Sequence, residues 1–268
     1  MAMLIDVHAH FYHARTPRAD WRERNDSRLT AGDKIGITAH VASILGTFGL
    51  KSPTYFPSPR DVTAGNDALL GLQRAHPDRI RSYVCVNPNY TDHARAEIVR
   101  CLDAGMIGIK LAASRRADDP LLDPIAALAR ERRVPVLQHI WQHRRRDWPG
   151  QEASDAVELC ALARRHADVA FILAHIGGGG DWQHSLHAVR DVGNVYVDLS
   201  GSGVDGGMLE ACLESVGVDR LLWGTDITMD TGWAKLRYLE TLLPEDDAAL
   251  VRWKNAARIF PSGAFPAD

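Results

Sequence analysis

The chain has 268 residues, a formal charge of −3 and 46% hydrophobic residues. That length suits one large domain or two small ones, and the apolar fraction supports a sizeable core and argues against disorder. The charge leaves no basic footprint for nucleic acid, and no apolar run approaches the roughly 18 residues of a membrane span.

The N-terminus leads directly into a strand pattern, Met3–Val7 within MLIDVHAH, without a basic or apolar leader, so no secretion signal is expected. Further short, β-rich apolar runs follow at Ile37–Leu45, Ile80–Val86, Met106–Leu111, Val134–Ile140, Val169–Ile176, Val195–Leu199 and Arg220–Thr225. They are near-continuous rather than alternating, as in strands buried on both faces. Helical patterns lie between them, at Asn66–Ala75, Asp92–Ala104, Leu122–Arg133, Asp155–His166, Trp182–Val192, Gly206–Val216 and Thr231–Leu243, and a last one at Asp246–Ile259 closes the chain. Gly105, Pro135, Gly193 and Gly217 supply helix stop signals.

Strand–helix units of roughly 30 residues mark βαβ construction. Eight of them point to an α/β fold, a single (β/α)8 TIM barrel over residues 1–268, with an open doubly wound sheet as the alternative. Two stretches read as irregular. Phe11–Lys34 is polar and Arg-rich with Trp21 inside it, and Gly46–Val62 holds Pro53, Pro57 and Pro59. Loops after barrel strands form the rim of the site, and the first stretch is expected to cover the pocket as a lid. Cys85, Cys101, Cys160 and Cys212 are far apart and read as buried thiols in a reducing cytosol, which gives a cytoplasmic expectation.

In a closed parallel barrel the carboxyl ends of all strands converge on one face. Five of the runs carry a polar group toward that end: His8 and His10, Lys110, His139, His175, and Asp226. Strand alternation puts Asp6, His8 and His10 on one face. With 12 histidines in the chain, a His-x-His pair alone arises readily by chance; its place at a strand end gives it weight. His139 would be a third nitrogen ligand, while His143 in the following loop reads as rim or surface. His175 precedes Gly177–Gly180, which let the backbone approach a ligand or simply make a turn. A carboxylate at the depth of Asp226 is costly unless paired or metal-bound. The structural alternatives are hydrogen-bonded histidines capping strands, and an ion pair between Asp226 and Lys110 or an arginine.

Lys110 points into the barrel if Ile107, Ile109 and Leu111 face the helices. Three roles compete for it: binding a substrate carboxylate, pairing with Asp226, or bridging two metals as a carbamate. Arg144, first of the Arg144–Arg146 cluster, is a candidate clamp for a substrate carboxylate. Trp141, Trp148 and Trp182, on loops after strands five and six, either floor the pocket or pack the helix ring, and Trp141 is the candidate for substrate contact. Asp181 before Trp182 reads as a helix N-cap, and His184 and His187 read as surface residues.

In order, the set is His-x-His on strand one, Lys on strand four, His on strands five and six, and Asp on strand eight. With IDVHAH, GIKL, AHIGGG, LLWGTD and the closing NAARIF, this resembles the amidohydrolase superfamily. More narrowly it is similar to the amidohydrolase-related branch that includes aminocarboxymuconate semialdehyde decarboxylase and lactone hydrolases. The resemblance implies a (β/α)8 barrel holding a divalent ion, zinc before manganese, with one ion favoured and two as the alternative. It implies His8, His10, His139 and Asp226 as ligands, with His175 as acid–base partner. In two-metal members Lys110 would bridge and His175 would become a ligand. The implied activity is hydrolysis of a small polar amide, ester or lactone by metal-activated water, with Asp226 taking the proton. The alternative is non-oxidative decarboxylation or hydration of a carboxylated substrate; a non-catalytic barrel is the least favoured. The expected partner is a small-molecule substrate, with a homo-oligomer left open, and neither nucleic acid nor membrane is expected.

Overall fold

A computed structural model describes residues 3–15, 18–44, 52, 55–140, 155–178, 181–203 and 205–266. Eight parallel strands pair in chain order: β1 (Ile5–His10), β2 (Ala39–Ser43), β3 (Ile80–Val86), β4 (Gly108–Leu111), β5 (Val136–Gln138), β6 (Phe171–Leu173), β7 (Val195–Asp198) and β8 (Leu221–Leu222). β8 returns to β1 through Val7 N–H donating to Trp223 O (3.0 Å) and Asp226 N–H donating to His8 O (2.6 Å). The protein is therefore a (β/α)8 TIM barrel. The helices are α1 (Trp21–Ile35), α2 (Pro59–Ala75), α3 (Thr91–Asp103), α4 (Asp123–Arg132), α5 (Ala156–Arg165), α6 (Trp182–Val189), α7 (Met208–Val216), α8 (Met229–Leu242), α9 (Glu245–Ala249) and α10 (Asn255–Ile259). A π-helical turn, Leu250–Lys254, joins the last two.

Local chemistry explains the helix starts. Ser58 caps α2 by accepting from Asp61 N–H (3.2 Å), with Pro59 preset at the first helical position. Asp155 and Glu158 form a capping box on α5, and Asp181 accepts from His184 N–H at the start of α6, the cap expected there. Each cap is worth about 1 kcal/mol.

Two expectations need correction. The Phe11–Lys34 stretch is not a continuous loop, because α1 occupies most of it. α1 buries only Asn25, Leu29 and Gly32, a narrow seam at helical spacing, so no apolar stripe announces it. Likewise α2 begins at Pro59, inside the stretch read as irregular. β5, β6 and β8 are also shorter than their apolar runs, so His139, His175 and Asp226 stand just past strand ends.

The barrel interior has two tiers. The lower tier is apolar: Ile5, Val7, Val41, Tyr83, Leu137, Ile172 and Leu222 pack with Ala256 and Phe260 of the closing segment. Asn255 fixes that segment by donating to Val218 O (2.8 Å) and Leu221 O (2.9 Å). Outside the strands a second apolar layer seats the helices. The four cysteines are buried, and none is in a disulfide. Among the described residues no helix is long and apolar enough to cross a membrane.

One irregularity places the site. Ile5 and Asp6 pair with Ala39 and His40, but Ala9 and His10 pair with Ala42 and Ser43. Three steps on β1 thus match two on β2, which is a bulge at Val7–His8. Ile5 and Val7 join the interior cluster, whereas Ala9 and Phe11 join the helix-side layer. Simple alternation therefore fails for Asp6, which does not share the face of His8 and His10. It lies toward α1, accepting from His40 Nδ1 (2.9 Å), Thr225 N (2.9 Å) and Thr225 Oγ1 (2.7 Å).

Candidate active site

The upper tier of the barrel is polar. β1 supplies His8 and His10, β2 Ser43, β4 Lys110 and β7 Asp198, and the strand exits supply His139, His175 and Asp226. His8 Nε2 and His10 Nε2 lie 3.2 Å apart. Asp226 Oδ1 lies 3.0 Å from His10 Nε2 and 3.8 Å from His8 Nε2. Among the described residues these three form the one group of metal-ligating type whose ligand atoms converge.

The outer nitrogens of the two histidines set their tautomers. His8 Nδ1 is 2.7 Å from Asp198 Oδ2, and His10 Nδ1 is 3.1 Å from the Ser43 carbonyl oxygen. A carboxylate and a carbonyl only accept, so each Nδ1 carries the hydrogen and donates. Each Nε2 then presents a bare lone pair, the arrangement of carboxylate-buttressed metal ligands. Burial lowers the pKa of His10 despite the neighbouring Asp226, which keeps the imidazole neutral. Burial would raise the Asp226 carboxyl, yet beside the His10 and His8 rings it is held well below the usual carboxylate range. Neutral imidazoles and an ionised carboxylate are the forms that bind a divalent ion. Two imidazole lone pairs 3.2 Å apart beside a carboxylate form a compact nitrogen–oxygen donor set of the kind that divalent ions take. The donor set therefore fits such an ion.

Lys110 is fully buried, and its Nζ donates to His8 Nε2 (3.0 Å). The direct pairing with Asp226 considered from sequence is replaced by this contact. Burial pulls its pKa down to about 8, against the opposing fields of Asp226 and Asp198. His139 and His175 form a neighbouring pair, with His139 Nδ1 2.9 Å from His175 Nε2. His175 also stacks on His8, ring centroids 5.7 Å apart. Burial lowers both imidazoles, His175 to about 4. The structure thus gathers His8, His10, Lys110 and Asp226 at one point and sets His139 and His175 together beside it. Trp141 and Arg144, with His143 and Trp148, lie outside the described residues.

Strain collects at this face. Tyr55, Ala113, His175 and Asp226 have positive φ (68°, 55°, 38° and 54°), and they follow β2, β4, β6 and β8. Non-glycine residues held there store energy that the surroundings must offset, a pattern common at functional sites. Gly224 is required by close approach: a Cβ there would meet Asp198 Oδ1 at 2.7 Å and His8 Cβ at 3.1 Å.

Sequence reasoning missed several residues here. Asp198 ends β7 in VYVDLS as Asp226 follows β8, and the same cost of a buried carboxylate would have marked it. Besides His8 it accepts from His175 N–H (3.0 Å) and Ser200 Oγ (2.6 Å). Tyr55 tilts over His139 with ring centroids 4.8 Å apart, and no pattern in its Pro-rich surroundings points to it.

The fold is shared with solved structures. Over 97% of this chain and 98% of the other, it matches a 2,6-dihydroxybenzoate decarboxylase complexed with 2,6-dihydroxybenzoate (20% identity, TM-score 0.76). A dihydroxybenzoic acid decarboxylase from Polaromonas sp. JS666, with bound manganese and the inhibitor 2-nitroresorcinol, matches over 97% of each chain (18%, TM-score 0.72). The 4-oxalomesaconate hydratase from Rhodopseudomonas palustris matches over 97% of this chain and 96% of that one (18%, TM-score 0.69). At such identities the likeness establishes the barrel. No curated protein sequence matches the chain. A family model described as amidohydrolase covers residues 5–262. That match runs from the first strand past the last helix, and the chain belongs to the amidohydrolase family.

Proposed function

We propose that this protein is a metal-dependent, non-oxidative decarboxylase of a small carboxylated, hydroxylated ring. The observation that carries the proposal is the convergence of two bare imidazole nitrogens and the ionised Asp226, with the Lys110 amine beside them. His8, His10 and Asp226 would hold the divalent ion. When bound, that ion supplies Lewis acidity and positive charge for anionic substrate oxygens. Two decarboxylases and a hydratase among the similar structures favour this chemistry over the ester, amide or lactone hydrolysis expected from sequence.

The reaction breaks the bond between the ring carbon and the carboxylate, releases carbon dioxide and places one proton on that carbon. The site must therefore deliver a proton in each turnover. Asp226 and His175 would carry it, and the hydrogen bond between His139 and His175 would orient the His175 ring. Lys110 would add a cation for the substrate carboxylate.

Manganese- or zinc-loaded protein incubated with 2,6-dihydroxybenzoate and its hydroxybenzoate isomers tests the proposal. Released carbon dioxide with the matching phenol, absent in Asp226→Asn, is the expected result. Turnover of esters or lactones, with no carbon dioxide from any carboxylated ring, would restore the hydrolase reading.

A further inference from the structure

We propose that Arg28 is a positioning residue that locks the turn carrying Asp226, so that the Asp226 carboxylate faces His8 and His10. The inference rests on the metal-site reading above and concerns a residue on the far side of the sheet. Asp226 sits in left-handed backbone (φ 54°), a conformation that costs a non-glycine residue about 1 kcal/mol or more. Something must hold it there. From the amide side, His8 O accepts from Asp226 N (2.6 Å). On the carbonyl side, beside the backbone bridge that pairs Asp226 with Ala9, Arg28 Nη2 donates to Asp226 O (2.7 Å) and Ile227 O (3.0 Å). Its Nη1 donates to Thr225 Oγ1 (2.7 Å), and that hydroxyl in turn donates to the buried Asp6 carboxylate.

Three consecutive residues of one turn are thus gripped by one guanidinium. Its planar fork can address several acceptors at fixed angles, which a lysine ammonium on a flexible stem cannot reproduce. The grip is itself anchored. Asn25, three residues earlier on α1, accepts from Tyr12 N (2.9 Å) and donates to Tyr12 O (2.9 Å), which ties the helix to the exit of β1. Arg28 is therefore fixed to the strand that carries His8 and His10, and through its fork it fixes the strand exit that carries Asp226. Helix α1 sets the distance between the two halves of the donor set. Without the fork, the carbonyls of Asp226 and Ile227 lose the side-chain donor that holds them, the backbone relaxes toward negative φ, and the carboxylate turns away from His10.

The test is metal affinity, measured with metal-free protein by competition of cobalt(II) and zinc against a chromogenic chelator, together with the visible spectrum of the cobalt form. Arg28→Met and Arg28→Lys should each weaken cobalt binding by about 10-fold, the lower range for loss of a ligand's supporting partner, with a shifted cobalt spectrum. Millimolar guanidinium should restore part of the affinity of Arg28→Ala. Arg24→Ala, on the same helix, removes only an exposed pair with Asp20 and should bind as the wild type does. A fall in the unfolding temperature of metal-free protein with unchanged affinity and spectrum would make Arg28 merely structural and overturn the proposal. Should Arg28→Met not fold, Arg28→Lys decides alone, and wild-type affinity and spectrum in that variant refute the proposal. Wild-type protein that binds neither ion would remove the metal reading itself, and the Arg28 role with it.

Discussion

Asn in place of Asp198 is the most informative change outside the converging ligand atoms. Asp198 Oδ2 accepts from His8 Nδ1 (2.7 Å), His175 N (3.0 Å) and Ser200 Oγ (2.6 Å), while Oδ1 accepts from Ser200 N (2.9 Å). An amide has one acceptor oxygen. If it takes the Oδ2 place, its NH2 faces Ser200 N–H; if it takes the Oδ1 place, the NH2 faces His175 N–H. Either way a buried donor meets a donor, at a cost of about 1–3 kcal/mol, and the charge-assisted bond from His8 is weakened. The combined loss should be about 3 kcal/mol, lowering the unfolding temperature of a chain this long by on the order of 5–10 °C. With NH2 toward His8, Nδ1 must become the acceptor and Nε2 takes the hydrogen, which removes the lone pair a metal needs. Affinity for zinc or cobalt should drop by about 10- to 100-fold, equivalent to about 1.4–2.7 kcal/mol. Chelator competition on Asp198→Asn, alongside thermal unfolding of the metal-free form, measures both effects. Wild-type affinity in a well-folded variant would refute the tautomer assignment of His8 and with it the reasoning that its Nε2 is bare.

Three further outcomes are expected. His175→Asn should lose most turnover yet keep its metal, because His175 pairs with His139 beside the converging ligand atoms; loss of the metal would make it a ligand. Gly224→Ala should lower both stability and metal affinity, since its methyl must displace the Asp198 carboxylate or His8, and an unaffected variant would show that strand β8 can move aside. Burial lowers the pKa of Lys235 from 10.5 to about 8, opposed by Asp198, Asp226 and Asp205, while its Nζ donates to Gly201 O (2.6 Å). Between pH 8 and 10.5 the unfolded chain keeps this proton and the folded chain releases it, so wild-type stability should rise with pH relative to Lys235→Met, by roughly 3 kcal/mol at most. Parallel stability curves for the two proteins would contradict the shift.

The barrel was legible because its strands are buried on both faces and read as apolar runs, and because His8, His10, Lys110, His139, His175 and Asp226 all stand at the same end of successive runs. What escaped notice lacked such a pattern. Helix α1 hides its seam in Asn25, Leu29 and Gly32, so its hydrophobic periodicity is faint. The bulge in β1 leaves no mark in composition, because both registers of IDVHAH look equally plausible until β2 is paired with it. Arg28 was visible only as one arginine among five in a polar stretch, since its partners are backbone carbonyls two hundred residues away.

The bulge also has a bearing on how this barrel can change. Below it, side chains count inward at odd positions, Ile5 and Val7; above it they count inward at even positions, His8 and His10. It acts like a dislocation in a crystal, letting two lattices of different phase share one strand. The apolar floor and the reactive rim are consequently independent modules. Repacking the floor with other hydrophobic residues of similar volume should leave the rim's geometry alone, and deleting Val7 should leave one regular alternation in which His8 and His10 still face inward while the floor loses a side chain.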